Sequence, residues 1–132
     1  MKSFNEQNAI QFLKDVRRPL LTLHKSILDH ERAAYEKTVG PVTPAAFLQE
    51  LIGGTNFRWI APLSTAITSI DELLEATEIT AQEKIAGAQA IAALFAPDAQ
   101  ETFRQRYVTL LQESPTVLHE HSKVIQVLNQ AG

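Results

Sequence analysis

The chain contains no cysteine in its 132 residues, which excludes thiol catalysis, disulfide bonding and thiolate metal sites. No stretch approaches the roughly 18 consecutive apolar residues of a transmembrane helix. The opening MKSFNEQNAIQF has no apolar run of the kind that drives secretion. A cytoplasmic protein is therefore expected, and a cysteine-free chain suits a reducing compartment. There is no excess of positive charge: the formal net charge is −3, and Arg17-Arg18 is the only adjacent basic pair. Phosphate backbones demand a concentrated basic face, so neither nucleic acid nor a membrane is the expected partner. Nucleotide-binding signatures are also missing. There is no Walker A loop and no Gly-x-Gly-x-x-Gly, and Gly53-Gly54 reads as a helix stop. No cofactor is assigned by any motif.

Strand signals are lacking as well, since no segment alternates with period two. What is present is a set of well-punctuated helical patterns. Ser3-x-x-Glu6 has the form of a capping box opening a first helix over about 4–17, striped by Ile10, Leu13 and Val16. Pro19 either ends that helix or kinks a longer one. A second helix is expected over 19–39, stopped by Gly40-Pro41. Thr43-Pro44 opens a short helix to Ile52. The segment 56–75 follows, capped by Thr55 or Asn56, with Pro62 marking a start or a bend. Thr80-x-x-Glu83 opens 81–95, Pro97 divides it from 98–113, which Asp98 can cap, and Ser114-Pro115 opens 115–129. The spacing predicts one all-α domain over 1–132, an up-and-down bundle. Its four main helices (one of them broken) are joined by a short connecting helix and preceded by a short N-terminal one. That first helix is expected outside the main bundle, covering one end of the core or mediating a homodimer.

The stretch Leu20–Tyr35 carries the one departure from an ordinary apolar face. At about 100° per residue, Leu20, Ile27, Leu28 and Ala34 share a side whose middle holds His24, Glu31 and Tyr35. Ser64 and Asp71 sit together at the edge of the arc Ile60, Leu63, Ile67, Ile70 and Leu74. His121 lies at the centre of the core face of the last helix, while His119 and His30 point to solvent. If the helices opened by Pro19 and Pro115 run the same way, His24, Asp71 and His121 fall at one level. Glu31, Tyr35 and Ser64 then lie two turns away, making a polar column. Trp59 either caps the core or walls a cleft beside the short helix. Phe103 and Tyr107 are expected inward, with Arg104 and Arg106 on a solvated face.

The segments LHKSILDHERAAYEKTVGPV, NFRWIAPLS and IDELLE together resemble a family of small bacterial helical proteins. The family pattern is L-H-K-x-L-L-D-x-E-R-x-x-Y-E, then G-x-V-x-P, then F-x-W-x-x-P-L-S and a later I-D. The resemblance covers Leu20 to Leu74. It maps onto His24, Lys25, Asp29, Glu31, Arg32, Tyr35 and Glu36, then Gly40 and Pro44, then Phe57, Trp59, Pro62, Ser64 and Asp71. It implies a small all-α fold and a bacterial setting, and no activity comes with it. Ala61 stands where members carry Arg, so an anion-binding role does not carry over to the Trp59–Pro62 corner.

Two functions remain open at this point. One is a non-enzymatic bundle whose buried polar groups (His24, Glu31, Tyr35, Trp59, Ser64, Asp71 and His121) are structural or bind a small ligand or partner. The other is a metal-binding protein or metal-dependent enzyme using His24, Glu31, Asp71 and His121, a donor set that suits zinc or non-haem iron. Neither Glu-x-x-His nor His-Glu-x-x-His occurs, and Ser64 has no Gly-x-Ser-x-Gly elbow around it.

Overall fold

A 34-residue helix, α1 (Glu6–Val39), forms the axis of the molecule. The computed structural model describes residues 4–96 and 101–131. After α1 come α2 (Pro44–Gly53), a 3-10 turn (Arg58–Ile60), α3 (Ala61–Glu75), α4 (Ala81–Ala93), α5 (Glu101–Glu113) and α6 (Pro115–Gln130). The described residues contain no strand, as the missing period-two alternation predicts. None of these helices is long and apolar enough to cross a membrane.

The expected N-terminal helix is not separate. Residues buried along α1 are Ala9, Phe12, Leu13, Val16, Leu20, Leu23 and Ile27. From Ala9, apart from Phe12, they advance by alternating steps of four and three straight through Pro19, so one continuous stripe faces the core. A proline inside a helix costs about 3 kcal/mol. Burying a single Leu or Val side chain gains about 1.5–3 kcal/mol, and a break would put half the stripe out of register. Pro19 is therefore carried within the helix.

The caps follow the sequence with two exceptions, one at the head of α1 and one at α3, where neither Thr55 nor Asn56 caps the helix and no side chain does. Thr43, Thr80 and Ser114 accept hydrogen bonds from the backbone N–H groups of Ala46, Glu83 and Val117. At the head of α1 the reciprocal box is Asn5 with Asn8, at 2.9 and 2.7 Å, rather than Ser3 with Glu6. Ser3, and the expected cap Asp98, lie outside the described residues. Pro62 marks a start: it lies in the first turn of α3, after the 3-10 turn. Gly40 closes α1 at φ 91°, a backbone region that only glycine adopts freely.

Helix α1 packs against α3, α4 and α6, and α5 packs against α6 and the 3-10 turn. Two side-chain contacts fix the direction of α3. Arg17 meets Asp71 and His24 meets Ser64; seven residues down one helix match seven residues up the other, so the pair is antiparallel. The C-terminal turns of α6, at Val127 and Ala131, lie beside Asn8 and Phe12 of α1. So α6 also runs antiparallel to α1, not in the same direction.

Candidate functional site

With α6 inverted, the expected polar column separates into three places. On one flank, His24 Nε2 and Ser64 Oγ are hydrogen-bonded at 2.8 Å. Burial disfavours the imidazolium and pushes His24 below its ordinary value. Near the surface, Arg17 Nε donates to Asp71 at 2.7 Å, so Asp71 belongs to a largely exposed ion pair. At the third place, inside the bundle, the Tyr107 hydroxyl meets His121 Nδ1 at 2.6 Å. Burial raises the phenol, while burial and the charge of Arg104 lower the imidazole. Both shifts keep the phenol protonated and the ring neutral, and the imidazole tautomer sets which of the two donates. His24, Glu31, Asp71 and His121 are thus not brought together, and no group of three or more potential ligands among the described residues could hold a metal ion.

Tyr107 is the centre of an aromatic cluster that position along the chain does not reveal. It stacks on Phe103 at 5.2 Å, meets Phe95 edge-on at 6.0 Å, and lies edge-on to His121 at 5.4 Å. Phe103 in turn lies 6.1 Å from Trp59. Trp59 is buried in this cluster and caps the core rather than lining an opening.

The remaining sequence candidates, Glu31 and Tyr35, gather elsewhere. They line an open cleft of about 350 Å³ with Ala34 of α1, Asn56 and Phe57 of the turn after α2, and Arg106 of α5. The Glu31 side chain is only 15% exposed, as its central place on the apolar arc predicts. His30, expected in solvent, is half-buried instead. Its Nδ1 is enclosed, 3.9 Å from Glu31 Oε1, with no hydrogen bond among the described residues.

The walls of the cleft are held from behind. Tyr35 packs edge-on to Phe57, and Phe57 edge-on to Phe47. The connection that brings α2 back to α1 is tied through Val42: Arg32 donates to its carbonyl at 2.8 Å, and Glu36 accepts from its N–H at 2.9 Å. Asn56 donates its amide to Glu50 at 3.0 Å. Arg106 is exposed, as expected, and its guanidinium lies 5.6 Å from the centre of the Trp59 ring.

No family model, curated protein or solved structure matches the chain. The cleft offers a carboxylate, a phenol, an amide and a guanidinium drawn from three separate segments. Such a set recognises and orients a polar molecule. Glu31 and Tyr35 were legible from one helical face. Asn56 and Arg106 were not, because they reach the cleft through a turn and through the placement of α5.

Proposed function

We propose that the protein is a non-enzymatic helical binding module whose cleft between α1, the 54–57 turn and α5 takes a small polar ligand. One observation carries this: the polar groups lining the cleft do not satisfy one another. Among the described residues, the Tyr35 hydroxyl has no hydrogen-bond partner and Arg106 has no ion-pair partner, although Glu31 lines the same space. Buried polar groups that only stabilise a fold are normally paired, and Glu31, with 15% of its side chain exposed, has no hydrogen bond among the described residues. Glu31, Tyr35, Phe57 and Trp59 also belong to the pattern behind the family resemblance, and all four lie at or beside this cleft. In keeping with that resemblance, we take the protein to be a bacterial one. We take its compartment to be the cytoplasm and its partner a small molecule rather than nucleic acid, in line with the missing cysteines and the absence of a basic face.

The test is a ligand screen on the full chain by amide NMR. Binding should shift signals at residues 31–35, 54–57 and 106, with little change around His24–Ser64 or Tyr107–His121. Binders that shift only signals away from the cleft would defeat the assignment.

A further inference from the structure

Resting on that reading, we infer that the cleft is built for a zwitterion: an α-amino acid with an apolar side chain, its carboxylate on Arg106 and its ammonium on Glu31. Glu31 and Arg106 line one space yet form no ion pair. Two opposite charges free to approach across a cleft would normally close on each other. Here each is held on its own wall. Arg106 lies over the Trp59 ring at 5.6 Å, and Glu31 is set into the face of α1 with 15% of its side chain exposed. The space left between them suits a molecule that carries both charges.

Charge balance narrows the class further. A dianion would meet Glu31 and a dication would meet Arg106, so a ligand with a single charge of either sign leaves one wall unsatisfied. Neighbouring groups fit the same orientation. With its amide nitrogen engaged by Glu50, Asn56 has a carbonyl oxygen left to accept an ammonium proton, and the Tyr35 hydroxyl can donate to a carboxylate. Ala34 and the Phe57 ring supply apolar wall for a side chain. A volume of about 350 Å³ lies at the small end of ligand sites and suits a single amino acid rather than a nucleotide.

The experiment titrates the full chain with leucine and phenylalanine, then with their N-acetyl forms, which keep only the anion, and their amides, which keep only the cation. Amide NMR reads the cleft and calorimetry reads affinity. A free amino acid should bind about 10- to 100-fold more tightly than either derivative, the effect of losing one charge-assisted contact. Glu31→Gln should weaken the amino acid and leave its N-acetyl form unchanged. Arg106→Gln, which removes the charge from this exposed position, should weaken the amino acid and leave the amide unchanged. Thermal unfolding of each variant checks that the fold is intact. If a derivative binds as well as its parent, or leucine and phenylalanine both ignore Glu31→Gln, the zwitterion is refuted while the cleft stands as a site. If none of the six compounds shifts a cleft signal, the zwitterion falls here too. The wider ligand screen then decides whether the cleft binds anything.

Discussion

Removing residues 1–17 should abolish folding rather than trim an accessory helix. The deletion takes away Phe12, Leu13 and Val16, which are fully or almost fully buried, together with Ala9. Each of the three larger side chains contributes about 1.5–3 kcal/mol by leaving water, so their joint loss is roughly 5–9 kcal/mol. A domain of this kind has only about 5–15 kcal/mol in total. The cut also uncovers Val127 and Ala131 on α6, which face Phe12. Urea unfolding followed by far-UV circular dichroism measures the outcome: the truncated chain should show no cooperative transition. A single substitution grades the same claim, and Leu13→Ala should cost about 2–5 kcal/mol. A truncated chain that unfolds cooperatively within about 2 kcal/mol of the full chain would refute the account of α1 as one core helix.

Other perturbations address single features. Tyr107→Phe strands His121 Nδ1 beside the aromatic cluster and should lower stability by about 1–3 kcal/mol in urea titration. His24 and His121 both lie below their ordinary value of about 6.5 through burial. The unfolded chain therefore takes up these protons first as pH falls. Their contribution is complete above about pH 6.5 and declines as pH falls below it, so Tm should fall on acidification. Replacing both by Gln should flatten the decline, and a Tm that rises there would contradict the assignment. Gly40→Ala forces a side chain into a region that favours glycine, at φ 91° and ψ 175°, and should cost about 1–3 kcal/mol by thermal or urea unfolding. Pro19→Ala should stabilise the chain by about 1–2 kcal/mol, since it restores an interior helical hydrogen bond; a loss of stability would mean that the proline shapes the helix.

Local rules served well where the physics is local. The Thr43, Thr80 and Ser114 caps and the two N1 prolines are decided within one helical turn, and each helix begins where they say. The inward turn of Glu31 likewise follows from its angle on one face. Pro19 shows where a local rule loses. Its cost is fixed by the residue, but the opposing gain is spread over a stripe from Ala9 to Ile27 whose register only the whole helix reveals. The direction of α6 is a separate matter, set by how it packs along α1 and not by Pro19, and it is that direction which keeps His121 away from His24. Ser64 answers to His24 and Asp71 to Arg17, because pairing across helices depends on direction and depth, which no wheel diagram contains. Arg106 is solvated as its own helix indicates, but nothing within that helix shows that Trp59 and the cleft lie beside it.

The antiparallel seating of α6 on α1 has a practical side. It sets the described ends of the chain, near Asn5 and Ala131, at the same pole of the molecule. The cleft lies towards the other end of α1, with Phe12 and Tyr35 some 35 Å apart at about 1.5 Å of rise per residue. A tag, a fluorophore or a surface tether attached at either end would leave the cleft pointing away from it. Immobilised protein should therefore report ligand binding without the attachment crowding the opening.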